Sequence, residues 1–466
     1  SIAQLSGNFF FEKSGDDLTL AASSVTASVD VNGDGGELTD GEGAFVLRRD
    51  GLAGGLKGSL SLATGDVAAG ADIFLRINTT GGAVSETITL GADELKISFS
   101  ATEGNIFSAV LTDVSIVLGD LIYIEGSFVF TSSGDREVVG ATAVEIFIGE
   151  GPRLLEDGSD NPLARGFLVS NATFGLVKFT DGSVETDALQ AEGAISVIGI
   201  DNLSLSGAVT LRFNSFQEAI RESVSTGDAV APVEMAADET ASLTGDAFFE
   251  IAGMDLALRV AGQAIAANVN ISRYRSGDRQ IFRASLGEGL ASFSVAETSL
   301  LTLEELSGDV FIFDDGIAAQ ASGELSFGID SVLASGVYNL QINTTGNTIS
   351  ESFTAGNVTR EVSIPAGPYL RISGIGAELS VNGQSLTGNF LFEQNAEGDV
   401  VASASEVHAS FGDGALTLVD AEGVISINTA GLAARVTGGI ALTVPNVTIA
   451  ADLDLKISTR STTVDE

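Results

Sequence analysis

The sequence contains no cysteine and no tryptophan, and its only histidine is His408. Without cysteine there is no disulfide framework, no thiolate nucleophile and no thiolate-held metal. One histidine removes most of the remaining acid–base and metal chemistry. Proline is scarce, at 6 of 466 residues, which excludes collagen and proline-rich linkers. Lysine is rarer still, at five, and 22 basic residues face 63 acidic ones for a formal net charge of −41. Such a field repels nucleic acid and anionic membranes, so neither is an expected partner. It suits a salty medium, divalent cations, or a surface that must not stick to itself. No transmembrane segment is expected: the most apolar stretch, 114–130, is interrupted by Gly119, Asp120 and Glu125. No signal peptide is visible, and the chain opens Ser1-Ile2-Ala3 without Met, which reads as a window cut from a longer polypeptide.

What is present is apolar and glycine-rich. Hydrophobic residues make up 44% of the chain, enough to exclude intrinsic disorder. Glycine contributes 56 residues, and phenylalanine, at 26 against 4 tyrosines, is the large core residue.

The sequence repeats itself. Leu5-Ser6-Gly7-Asn8-Phe9-Phe10-Phe11 returns as Ile124-Glu125-Gly126-Ser127-Phe128-Val129-Phe130, then from Leu243 and again from Leu386. A second block, Leu75-Arg76-Ile77-Asn78-Thr79-Thr80 with Ser85-Glu86 after it, aligns without gaps to the stretches beginning at Leu211, Leu340 and Leu455. A third, around Glu42-Gly43-Ala44-Phe45, matches Glu192-Gly193, Gly308-Asp309 and Glu422-Gly423. Three blocks in one order define four repeats: 1–123, 124–242, 243–385 and a partial fourth, 386–466.

Within each repeat, apolar and polar residues alternate with period two, as in Ile73-Phe74-Leu75-Arg76-Ile77 and Leu370-Arg371-Ile372-Ser373. That is the pattern of strands with one buried face. Turn clusters such as Asn32-Gly33-Asp34-Gly35 and Asn382-Gly383 separate them. Alternating small and large apolar residues suggest neighbouring sheets that approach closely. Helical character is confined to 216–223 and 233–239. The expected fold is therefore all-β: tandem β repeats forming an elongated rod, either a β-solenoid or a continuous wrapped sheet. The alternative is beads of β-sandwich domains, although no polar, proline-rich linkers separate the repeats.

The best candidate site is Asp30-Val31-Asn32-Gly33-Asp34-Gly35, where Asp30, Asn32 and Asp34 have the alternating oxygen ligands of a calcium loop. Gly41 stands where such a loop carries its closing glutamate, and the fourth repeat has Ser410-Phe411-Gly412-Asp413-Gly414 there. Calcium is the one cofactor implied, and a plain Asp/Asn/Gly hairpin turn is the competing reading. Asp157, Asp160, Asp314 and Asp315 are acidic turn residues. Glycosylation-type Asn-x-Ser/Thr patterns occur at Asn78, Asn171, Asn202, Asn270, Asn343, Asn357 and Asn446; at Asn78 and Asn343 the recurring Asn-Thr-Thr reads as a turn signature. No nucleophile elbow, phosphate loop or zinc motif is present, and carboxylate pairs are too abundant among 63 acids to mark a glycosidase. His408 sits in an alternating strand pattern. No catalytic residue is assigned, and the chain is not expected to be an enzyme.

Through the Asn-Thr-Thr-Gly…Ser-Glu stretches (78–86 and 343–351), Gly367-Pro368-Tyr369-Leu370-Arg371 and 385–393, the chain resembles the very large repetitive exported proteins of Gram-negative aquatic bacteria. That resemblance implies an adhesin-like or matrix-like β repeat, extracellular or at the cell surface. The leading expectation is a structural protein that forms or decorates a fibre, sheath or stalk, partnered by itself or by a longer chain. One alternative is an adhesin arm whose segments 151–165 and 216–239 contact a glycan or surface. Another is a hydrophobic-groove β rod that transfers lipid.

Overall fold

A computed structural model describes residues 2–458 apart from 32–33, 65–66, 91–92, 105, 119–120, 134–135, 156–157, 182–183, 227–228, 243–246, 277–278, 296–297, 314, 328–331, 356–357, 382–383, 396–399, 413, 429–430 and 445–446. The described chain is built from strands, with one 3-10 turn at Ala101–Glu103. It divides into two compact units, Ser1–Gly199 with Ala208–Phe249, and Ile200–Gly207 with Glu250–Glu466.

The first unit begins with β1 (Ile2–Ser14), β2 (Asp17–Val31), β3 (Asp34–Arg48), β4 (Gly51–Thr64) and β5 (Val67–Asn78). A hairpin, β6 (Val84–Leu90) and β7 (Asp93–Phe99), interrupts the series. It resumes with β8 (Ile106–Leu118), β9 (Ile122–Ser133), β10 (Arg136–Glu150), β11 (Arg165–Asp181) and β12 (Val184–Ile198). Next come β13 (Leu203–Asn214), of which only the part from Ala208 belongs to this unit, and a second hairpin, β14 (Ile220–Ser225) with β15 (Val230–Met235).

The second unit carries β16 (Phe248–Val260), β17 (Gln263–Ser276), β18 (Arg279–Val295), β19 (Thr298–Phe313), β20 (Gly316–Phe327), β21 (Val332–Ser335) and β22 (Val337–Asn343). A third hairpin follows, β23 (Ile349–Ala355) with β24 (Val358–Ile364). The unit ends with β25 (Tyr369–Val381), β26 (Gln384–Asn395), β27 (Val400–Phe411), β28 (Leu416–Asn428), β29 (Gly431–Val444) and β30 (Val447–Ser458).

Pairing is antiparallel and sequential. In the first unit β1 pairs β2, β2 pairs β3, β4 pairs β5, and across the inserted hairpin β5 pairs β8. In the second, β17 to β20 pair in turn, β22 pairs β25 across its hairpin, and β25 to β30 pair in turn. The all-β expectation holds. A solenoid would stack parallel strands from successive coils; chain neighbours here run antiparallel, so the sheet form of the two expected alternatives is the one adopted.

The long strands are not regular. Ser24, Asp40, Ala143, Asn171, Asp255, Glu288, Glu305, Glu406 and Asp420 have φ between 48° and 57°, and each falls at a break in strand register. Each is a β-bulge with its extra residue in the left-handed region. Asparagines tie neighbouring bulges together. The N–H of Asp255 donates to Asn268 Oδ1 at 3.1 Å, and Asn268 Nδ2 donates to Glu288 at 2.9 Å. The same bridge recurs from Gly376 through Asn389 to Glu406, at 3.0 and 3.1 Å.

Small residues serve cross-strand packing within one sheet, where the sequence pointed to close approach between sheets. Tyr338 lies opposite Gly374 with its ring over the glycine; a Cβ there would sit 2.5 Å from the ring. Phe45 covers Gly54 in the same way.

The three inserted hairpins are lids, each packing its apolar face onto one face of the sheet before it. Val84, Ile88, Ile97 and Phe99 of lid 1 bury against Ala21, Ala44, Val46 and Ala53. Ile220, Val224, Val233 and Met235 of lid 2 bury against Val138, Val177 and Ala188. Ile349 and Ile364 of lid 3 bury against Ile281, Phe311, Phe313 and Ala318. Each buried large side chain contributes about 1.5–3 kcal/mol.

Lid 2 corrects the helical reading of 216–223 and 233–239. Its strands alternate exposed and buried residues, most cleanly Val230–Met235. The period-two face of Ala231, Val233 and Met235 outweighs the helix-favouring residues around it.

Candidate functional site

Each lid springs from the chain through one construction. Asn78, Asn214 and Asn343, the last residues of β5, β13 and β22, are fully buried. Asn78 Nδ2 donates to the carbonyls of Gly82 and Glu103, both at 2.8 Å, and its Oδ1 accepts the N–H and hydroxyl of Thr80 at 3.0 and 2.8 Å. Asn343 donates to Asn347 O and Pro365 O at 2.9 and 2.7 Å and accepts the N–H and hydroxyl of Thr345, both at 2.8 Å. Asn214 donates to Glu218 O and Glu239 O at 3.4 and 2.7 Å and accepts the N–H of Phe216 at 2.9 Å. One amide thus binds the first and last residues of each lid, forming a clasp. Only a side chain with donors and an acceptor on one planar group can do this.

The next residue anchors the clasp to the preceding strand. Thr79 donates its N–H to Leu52 O at 2.8 Å and accepts the Leu52 N–H on its hydroxyl at 2.9 Å. Ser215 with Asp187, and Thr344 with Ile317, repeat this exchange.

Lids 1 and 2 share a third element. Arg76 pairs with Glu103 at 2.8 Å, and Arg212 with Glu239 at 2.7 Å. Arg76 also lies over the Phe99 ring, 4.8 Å from its centroid. The Ser100 N–H and hydroxyl donate to Glu103 Oε2 at 2.8 and 2.9 Å. The backbone bond from Ser100, helped by its hydroxyl and Arg76 against the cost of burial, holds the Glu103 carboxyl below its ordinary value. The third copy has Gln341 and Pro365 at these positions, so its clasp has no counterpart of this Arg–Glu pair.

The expected calcium loop falls largely outside the described residues. Asp30 and Asp34 lie in β2 and β3, where Asp30 pairs Gly35 and Val31 pairs Asp34. Asn32 and the side chains of all three candidates are outside the description. Asp157, Asp314, Asn357 and Asn446 are outside it as well. Among the described residues, no group of three or more His, Asp or Glu side chains is placed to hold a metal ion. Asp160 faces Arg153 at 3.8 Å, and Asp315 accepts a bond from Asn347 at 3.0 Å. His408 Nε2 lies 3.5 Å from Asp420 on an exposed stretch of sheet.

Two of the Asn-x-Thr patterns, at Asn78 and Asn343, are the clasps themselves. Their burial closes them to modification. Asn171 and Asn202 are exposed and adopt φ of 50° and 61°. The segment 216–239, which the adhesin alternative reads as an insertion contacting a glycan or surface, is lid 2 with its clasp, built like lids 1 and 3. In 151–165, Asn161 donates to Pro152 O at 2.8 Å and accepts the Leu163 N–H at 3.0 Å, leaving Leu163 exposed.

A cleft of about 440 Å³ opens between β7 of lid 1 and β4–β5, with Lys57, Phe74, Arg76 and Lys96 in its wall. At the equivalent sheet position in the fourth copy, a cleft of about 560 Å³ lies along β26–β29, with Asn389, Val424, Arg435 and Thr437 in its wall. Val424 there is 46% exposed, whereas Ala44, in its place under lid 1, is 4% exposed.

The recurrence of Leu-x-Ile-Asn-Thr-Thr carried the signal for the clasps. The missing step was that an asparagine ending an alternating strand, always followed by a hydroxyl residue, is a buried connector. No protein-family model and no curated protein matches this sequence.

Proposed function

We propose that this chain is an extracellular structural protein that forms or decorates a fibre, sheath or stalk on a bacterial surface. The clasp is the observation that carries the reading. In three copies, a fully buried asparagine spends its donors and acceptor on tying a lid to the sheet. Repetition of a polar device whose partners are backbone groups fits a selected architecture better than a selected reaction. The acidic surface fits the same role. A charge of −41 keeps neighbouring copies apart in solution until salt or divalent cations screen it. Self-association, or continuation in a longer chain, is the partnership this implies, with calcium at Asp30, Asn32 and Asp34 as the candidate cross-linking ion.

Negative-stain electron microscopy of native material, with and without a calcium chelator, tests the proposal. Long regular filaments are the expected result, and their loss on chelation would support the cation. Isolated particles under both conditions would overturn assembly as the function.

A further inference from the structure

We infer that the cleft beneath lid 1 binds an acidic saccharide, a binding function separate from the scaffold role. The cleft is lined by Gly54 and Gly55, which put no side chain into it. Gly55 on β4 stands opposite Arg76 on β5. The equivalent pair is Gln320 opposite Gln341 in the third copy and Arg435 opposite Lys456 in the fourth. Of these three copies, only the first has glycine at this position.

The next position along the floor diverges in the same direction. Lys57 stands opposite Phe74, where the third copy has Ser322 opposite Asn339 and the fourth has Thr437 opposite Asp454. Phe74, in the wall of the cleft, is 45% exposed. The cross-strand packing common to the copies does not need this ring, since its counterparts are polar. An exposed ring beside an open floor offers a face on which the C–H side of a pyranose can lie.

The charges select the kind of sugar. Lys57 and Lys96 are two of only five lysines in the chain. Lys57 pairs with Glu42. Lys96, on the lid strand, is exposed and has no partner among the described residues. With Lys57 paired to Glu42 and Arg76 to Glu103, Lys96 is the cation left to meet a carboxylate in this cleft. Glu42 and Glu94 at the rim can accept sugar hydroxyls. A uronic-acid residue combines an apolar ring face, hydroxyl donors and a carboxylate on one ring.

The test is calorimetric titration of the whole chain with a short oligogalacturonate and with the corresponding neutral galactan oligosaccharide. EDTA in the buffer prevents calcium from bridging two anions. The uronate is expected to bind at least about tenfold more tightly than the neutral sugar, the value of one charge-assisted contact. Phe74→Ala and Lys96→Glu are each expected to weaken it about tenfold with an unchanged thermal midpoint. Gly55→Gln, which restores the side chain of the third copy, is expected to abolish it. No heat with either sugar would overturn the inference. So would uronate binding that survives Lys96→Glu at full strength, a readout that stands even if Gly55→Gln fails to fold. Equal binding of both sugars would overturn the acidic component.

Discussion

Asn78 and Glu103 close lid 1 from its two ends: the Asn78 amide donates to the Glu103 carbonyl at 2.8 Å across 25 residues of chain. Two residues before Asn78, Arg76 holds the Glu103 carboxylate at 2.8 Å. Backbone and side chain of one glutamate are therefore gripped by two consecutive residues of the same face of β5, and the lid between them is fixed as a loop of set length.

Asn78→Ala removes both donors and the acceptor of the clasp. The Gly82 and Glu103 carbonyls and the Thr80 N–H and hydroxyl lose their partner. With about 1–3 kcal/mol for each buried group left unpaired, and water reaching some of them, a loss of about 3 kcal/mol is expected. Urea unfolding checks the magnitude. Hydrogen exchange checks the location, with β6 and β7 amides accelerated ahead of those of β9–β11.

Lid 1 is also expected to loosen in acid. The Glu103 carboxyl is held low in the folded chain, so its contribution to stability is complete above its ordinary value of 4.5 and is lost as pH falls through the depressed folded value. Glu103→Gln should flatten the decline in thermal midpoint below about pH 4.5 in proportion to this one group. An unchanged acid profile in the variant would show that Glu103 carries none of it.

Phe311 and Met254 give opposite outcomes for the same kind of truncation. Phe311 is fully buried beneath lid 3 and stacks on Phe313 at 6.5 Å, whereas Met254 is 80% exposed at a bulge. Phe311→Ala is expected to cost about 3–5 kcal/mol and Met254→Ala to stay within about 0.5 kcal/mol of the parent, both read from urea midpoints.

The bulge at Glu305 makes a backbone prediction. With φ of 50°, this residue bears a left-handed cost that glycine would escape. The gain is offset by the larger entropy glycine brings to the unfolded chain, so Glu305→Gly should stay within about 0.5 kcal/mol of the parent. Glu305→Val places a β-branched side chain in that region and should lose about 2 kcal/mol. Thermal unfolding of the two variants compares them directly.

Much of this was legible in the residues. Alternation at 73–77 and 370–373 placed strands β5 and β25. The helical reading of 216–223 failed because a window containing Phe216, Glu218 and Ile220 has no view of Val177 and Ala188, against which Ile220 and Val224 bury. The asparagine clasps were visible as a recurring Asn-Thr-Thr and were read as turns. Their role depends on the carbonyls of Glu103, Glu239 and Pro365, at the far end of each lid.

By itself the sequence determined the all-β class, the repeats and the acidic surface, since period-two alternation, composition and charge are properties of neighbouring residues or of simple sums. Tertiary structure alone decided that sequential strands pair antiparallel, that hairpins fold back as lids, and that Gly55 and Lys96 come to line one cleft under lid 1. These follow from which distant groups can be buried and hydrogen-bonded together, a choice the folded chain makes as a whole.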